Sequence, residues 1–406
     1  MTRPTRWAAI VAACGALLLT ACSGPILANA PAARPPLPSA APTTPAPPAD
    51  PQPVVLPRDD GPHDRLTEWW YYTGHLRTPD GRELGFEDVI FRAERGDFPV
   101  SWASHVALTD ETGGTFHYAQ RSEIGPQVDR SPRGPDGAPT GFDLSIAGYD
   151  PTDTATLANP PWTMRGSDGR DALSFELSPA EATAAGVPGG MALGLTLTPT
   201  KPAALHDVDG YADFGPAGGS YYYSRTRLDA TGSVVLDGVR TPVEGSVWFD
   251  HQWGDFIAIG GGGWDWFAIE LDDGTDLMVN RVRAADGSYP FAYGTLVAAG
   301  GSVTHVPAEG MTIDATGTWT SPTTGVTYPS GWRVRVPGEG LDLTVTPTVS
   351  GQELDTRATT GVIYWEGSND VGGTRDGMPV RGEAYVELTG YAGTAAPTTP
   401  AATPAP

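Results

Sequence analysis

"WDWFAIELDDGTDLMVNRVRAADGS", residues 264–288, decides how the rest of the chain is read. An aromatic run meets Asp273-Gly274, resumes as an apolar run ending in Arg283, and stops at Asp286-Gly287. Asp-Gly supplies the positive φ of a tight hairpin, so the stretch predicts two antiparallel strands. "WWYYTGHLRTPDGRELGFEDVIFRAERGD", residues 69–97, has the same layout: aromatic strand, Asp80-Gly81, a second strand with Arg near its end, and another turn. The separation is far longer than a solenoid period. It predicts two related β-domains, residues 57–215 and 216–392, with 201–219 as the crossing segment.

The same punctuation continues outward, in "SDGRDALSF" (167–175), "LDGV" (236–239) and "AGGSV" (299–303). Helical signals are confined to "SPAEATAAG" (178–186), where Ser178 is placed to cap and Glu181 follows three residues on. Seven or eight strands per domain predict either a barrel enclosing one small ligand or a filled sandwich.

The ends read differently. Arg3 and Arg6 precede an apolar run, residues 7–19, too short to span a bilayer, and "LTAC" at 19–22 has the form of a bacterial lipobox. The expectation is a lipoprotein signal peptide (1–21), lipidation at Cys22, and an extracytoplasmic, membrane-tethered protein. Cys14 and Cys22 are the only cysteines, so a processed chain has no disulfide. Residues 22–56 read as a Pro/Ala-rich linker and 393–406 as a disordered tail. A net charge of −23 with one lysine, Lys201, argues against nucleic-acid binding and against docking the domain face on anionic lipid.

Chemistry-bearing residues cluster in "FDHQWGDF" (249–256) and "GWDWF" (263–267). If both are strands, His251 and Trp253 share one face and Asp250 and Gln252 the other. Asp265 points opposite Trp264 and Trp266, alongside Phe267. In "EWWYYTG" (68–74), Glu68, Trp70 and Tyr72 share a face, and Arg92 is placed to pair with Glu68 or Glu87 as a structural ion pair closing a barrel end. Each residue also has a structural explanation. Tryptophans bury large areas wherever they sit, His251 is equally suited to bonding a neighbouring strand, and Asp250 reads first as a turn or cap acid. A carboxylate among indoles is exposed, paired with Arg281 or Arg283, or functional, since burying it unpaired is costly.

Five strings, "EWWYYTGHL" (68–76), "GFEDVIFR" (85–92), "YYYSRTRL" (221–228), "GSVWFDHQWGDF" (245–256) and "GWDWFAIELDDGTDLMVNRVR" (263–283), together resemble the AttH and hydroxyneurosporene synthase family, whose best-known activity is carotenoid 1,2-hydratase. The resemblance implies an all-β fold of two tandem lipocalin-like (calycin-type) antiparallel β-barrels. It implies a catalytic set at His251, Trp253 and Asp265, the first two being the His and Trp of the DHxW motif. At position 252 this chain has Gln where the motif often carries Glu.

Hydrating an isolated alkene requires an acid kept protonated by an apolar pocket and an electron-rich face for the developing cation. Asp265 is the expected acid, Trp253 the expected face, and His251 the group that orients the acid or activates water. Trp70, Tyr72, Trp264, Trp266 and Phe267 are expected to line the substrate. No cofactor is expected, and no HxxxH or CxxC spacing suggests a metal. The expected partner is a hydrophobic small molecule, isoprenoid or lipid, which the protein hydrates or hydrolyses. The alternatives are a non-catalytic carrier and a scaffold with filled barrels.

Overall fold

Short apolar runs between glycine-containing turns fold as antiparallel strands. The computed structural model describes residues 50–147, 160–167, 170–214, 218–256 and 262–392. The expected signal peptide, Cys22, most of the linker and the tail lie outside the described residues.

The first sheet contains β1 (Thr67–Arg77), β2 (Glu83–Arg95), β3 (Phe98–Asp110), β4 (Thr115–Ile124), β5 (Phe142–Ile146), β6 (Trp162–Ser167), β7 (Arg170–Glu176), β8 (Met191–Pro199), β9 (Ala204–Leu205), β10 (Tyr211–Asp213), β11 (Gly219–Leu236) and β12 (Val239–Gly254). Its order is β4-β3-β2-β1-β12-β11-β8-β7-β6-β5, with β9 and β10 added on β11. The second contains β13 (Gly263–Leu271), β14 (Asp276–Arg283), β15 (Phe291–Val297), β16 (Val303–Pro307), β17 (Thr312–Ala315), β20 (Trp332–Val336), β21 (Leu341–Pro347), β22 (Glu353–Asp355), β23 (Ile363–Arg375) and β24 (Met378–Leu388), ordered β16-β15-β14-β13-β24-β23-β21-β20-β17 with β22 on β23. Strands β18 (Thr318–Thr320) and β19 (Thr327–Pro329) form a separate ribbon. The one α-helix among the described residues, α1 (Pro179–Ala184), carries the expected Ser178–Glu181 capping box. No helix among them is long and apolar enough to cross a membrane.

The two Asp-Gly hairpins fall where expected, joining β1 to β2 and β13 to β14, with Gly81 and Gly274 at φ of 87° and 81°. The first sheet curls until its edge strands meet through side chains. Arg121 on β4 donates to the Ile146 carbonyl on β5, and Glu123 accepts the Ala147 N–H at 2.8 Å. The all-β, two-barrel expectation is met. Each barrel has its own core, centred on Trp70, Tyr72, Phe249 and Trp253 in the first and on Phe267, Trp332 and Trp365 in the second.

Two boundaries differ from expectation. Strands β11 and β12 pair with β8 and β1, so residues 219–254 belong to the first sheet, and the chain crosses to the second between Gly254 and Gly263 rather than at 215/216. The aromatic repeat marks where each barrel's hairpin begins. It carries no signal that the first barrel is completed by strands that come later in the chain. The linker also ends before residue 56: Val54 and Leu56 pack against the first core, and Asp50 accepts from Tyr221 and Arg65.

The barrels lie back to back. Outward residues of the first sheet, Tyr71, Val89, Tyr222 and Trp248, pack against outward residues of the second, Trp266, Ala268, Met278 and Tyr385. The central strands are therefore buried on both faces: nine of the eleven residues of β1 and the whole of β12 from Val247 to Gly254 are buried, with aromatic residues on both sides of the pleat.

Candidate active site

The pleat of β12 divides its motif between two compartments. Phe249, His251 and Trp253 point into the first barrel, whereas Trp248, Asp250 and Gln252 point toward the second. On β13, Asp265 and Phe267 point into the second barrel, and Trp264 and Trp266 point back toward the first.

Between the sheets lies a cleft walled by Trp69, Tyr71, Phe91, Tyr222, Trp264 and Trp266, with Phe214 and Phe256 also lining it. Its volume is about 90 Å³, against roughly 10–15 Å³ needed for one water. Indoles of Trp69 and Trp264 stack across it with centroids 6.3 Å apart. Three acids, Glu87, Asp250 and Glu387, reach this aromatic lining, along with Gln252 and Asn280.

Burial controls these acids. It pushes the Glu387 carboxyl up to about 7, against the indole N–H of Trp264, which donates to Oε2 at 2.6 Å. It pushes Glu87 up to about 8, opposed by the Tyr364 hydroxyl at 2.8 Å and reinforced by the charges of Glu387 and Asp88. Behind them Glu366, bonded by Tyr71 at 2.5 Å, is raised well above the ordinary carboxyl range by burial and by its acidic neighbours. Asp250 is pushed up to about 7 by burial, although three donors favour its anion: Ser224, Tyr222 and the Trp248 indole, the last at 2.7 Å. Like charges confined in one apolar space cannot all ionise together, so the group holds protons near neutrality.

The expected catalytic set does not assemble. His251 and Trp253 are sealed inside the first barrel, and Asp265 inside the second, with both sheets between them. Asp265 accepts from Arg281 at 2.8 Å, Tyr289 at 2.7 Å and Tyr391 at 2.8 Å, so it is paired rather than left bare among the indoles. Of the expected substrate wall, Trp264 and Trp266 face the cleft, while Trp70, Tyr72 and Phe267 are barrel core. The Glu68–Arg92 pair is long, at 3.9 Å; Glu68 binds His63 and His251 instead, and Arg92 binds Glu94 at 2.6 Å.

The expected catalytic residues lie on the barrel-facing sides of β12 and β13, away from the cleft that Trp264 and Trp266 line. Alternation had already grouped Asp250 with Gln252 and Trp264 with Trp266. The missing inference was that strands with aromatics on both sides of the pleat have a second buried face. Glu387 gave no such signal, because it joins the cleft only through the pairing of β24 with β13, and Glu366 lies behind it through the pairing of β24 with β23.

A family model for AttH-like proteins matches residues 47–391. A solved AttH structure from Nitrosomonas europaea is 32% identical, covers 85% of this chain and 99% of its own, and superposes with a TM-score of 0.70. Kievitone hydratase from Nectria haematococca shares the fold at 16% identity, TM-score 0.58, with 83% and 93% of the two chains covered. CghA, solved with Sch210972, shares it at 14% identity and TM-score 0.53, covering 81% and 90%. A search of curated proteins found no match. Matched over nearly all of its described length, the chain belongs to the AttH-like family.

Proposed function

We propose that the cleft between the barrels is a hydratase site, in which Glu387 protonates an alkene of an apolar, isoprenoid-like ligand and water adds to the resulting cation. The observation that carries this reading is an aromatic cleft lined by carboxyls that burial keeps protonated near neutral pH. Glu387 is half-buried at the lining, and among the described residues only its Oε2 is bonded, leaving Oε1 to carry the proton. The faces of Trp264, Trp266 and Trp69 stabilise the positive charge as it develops. Asp250, whose three donors favour the anion, takes the proton released by the attacking water, so two carboxyls in different environments hold the two roles. Proton and hydroxyl both come to the ligand, and the proton taken up by Asp250 must then return to Glu387, directly or through water, to reset the donor. Kievitone hydratase, a hydratase on the same fold, supports the reaction class. An exported location with lipid on Cys22 is supported by residues 1–22 alone.

The test is incubation of the purified chain with a cellular lipid extract in heavy-oxygen water, followed by mass spectrometry. Wild type should yield a lipid carrying one labelled hydroxyl. Glu387→Gln should bind the precursor and leave it unlabelled. A ligand that co-purifies and never gains label, even with wild type, overturns the hydratase and leaves the carrier.

A further inference from the structure

The opposite face of β12 carries a separate cluster of ligand-type atoms. Glu68 on β1 is fully buried, and its Oε1 meets two imidazoles. His251 Nε2 approaches from β12 at 3.0 Å, and His63 Nδ1 from the segment before β1 at 2.7 Å. The other oxygen, Oε2, is engaged separately by the His63 backbone N–H at 2.9 Å. Two nitrogens and one oxygen thus converge within 4.8 Å of one another.

The surroundings fix that convergence. The Trp253 indole lies parallel to the His63 ring at 4.2 Å, and Trp70 stacks on His251 at 4.7 Å. His63 Nε2 lies 3.7 Å from Asp59, which Arg58 holds at 2.5 Å, an outer carboxylate of the kind that orients metal-bound histidines. His251 is fully buried and its Nδ1 has no hydrogen-bond partner among the described residues. The side chain of His63 is 20% exposed, which gives an ion a way in.

We propose that His63, Glu68 and His251 bind a divalent first-row transition ion, with zinc as the best match. Two imidazoles and one carboxylate, with a fourth position left to water, form a donor set that zinc takes readily. The ion replaces the ring protons now directed at Glu68 Oε1. It ties the segment before β1 to two barrel strands, a clamp in a body whose described residues contain no cysteine. Residues 63 and 68 come from one end of the first barrel's sequence and 251 from the other, so no short motif reveals the set. The site stands whether or not the cleft is catalytic, because it lies on the other face of β12.

The test uses the full chain without a polyhistidine tag, stripped by chelator and titrated with Zn²⁺ or Co²⁺. Wild type should retain one equivalent of Zn²⁺ after dialysis, give the intense visible absorption of tetrahedral Co²⁺, and melt at higher temperature as Zn²⁺ is added. His63→Gln, at the accessible edge, should fold and bind at least tenfold more weakly, with the Co²⁺ band lost. Glu68→Gln should behave alike if it folds. Equal metal uptake by wild type and His63→Gln overturns the site, as does a wild-type Co²⁺ spectrum no different from the hydrated ion.

Discussion

Asp250 and His251 are consecutive on β12 and face opposite compartments: Asp250 lines the cleft between the barrels, and His251 is sealed in the first barrel against Glu68. One peptide unit therefore separates the proposed reaction chemistry from the proposed metal clamp. Substitutions at the two positions should have different consequences.

Glu387→Gln removes the proposed proton donor and keeps the side chain's size. Hydration should fall by roughly 10²–10⁴-fold while ligand affinity changes little. Single-turnover kinetics beside equilibrium binding checks this, and a matching loss of binding would point to a packing role instead.

Trp264→Phe deletes the indole N–H that favours the Glu387 carboxylate. Losing that donor raises the carboxyl further, by about one unit. The acid must be protonated to act, so the alkaline limb of the pH–rate profile should move to higher pH. A limb that stays in place or moves down would show that Glu387 does not set it.

Asp265→Asn should damage the fold rather than the chemistry. It leaves Arg281 without its charge partner, at a cost of about 3 kcal/mol, read as a lower denaturation midpoint. Folded molecules should turn over at the wild-type rate. A stable but inactive Asp265→Asn would return that residue to the active site.

How much of this was legible in the sequence depends on the interaction involved. Local chemistry was readable: the Asp-Gly hairpins, the Ser178–Glu181 capping box and the alternation along β12 and β13 all depend on residues close in sequence. The strings at 68–76 and 245–256 were enough to point to the family and its two barrels. The pairing of β12 with β1 was not readable, because it joins segments far apart in the chain with no turn between them. Asp265 was misjudged because Tyr289 and Tyr391, which satisfy it with Arg281, come from loops whose approach no pattern announces. Glu387 was missed because it reaches the cleft through the pairing of β24 with β13, which joins segments far apart in the chain.

Stability should fall as pH rises from about 6.5 to 8. In this window unfolded carboxyls (pKa about 4) are ionised. The folded chain keeps protons on Glu387, raised to about 7, and on Glu87 and Asp88, each raised to about 8, in all three cases chiefly by burial. His75 is raised to about 9 because Glu111 and other nearby acids outweigh its burial, so it adds to the same trend. The native state binds more protons than the unfolded one, so the slope is negative. Melting temperature across this range checks it, and Glu87→Gln should flatten the slope.

Acid catalysis in the cleft requires carboxylic acids that stay neutral at neutral pH. Infrared spectroscopy of the protein in heavy water reads this directly, through the carbonyl stretch that a protonated carboxyl shows and a carboxylate lacks. This band should be present at pH 7, weaken in Glu387→Gln and Glu87→Gln, and lose intensity as the pH rises past the folded values near 7 and 8. A wild-type spectrum with no protonated-carboxyl band at pH 7 would contradict it, and acid-catalysed hydration in this cleft would fall with it.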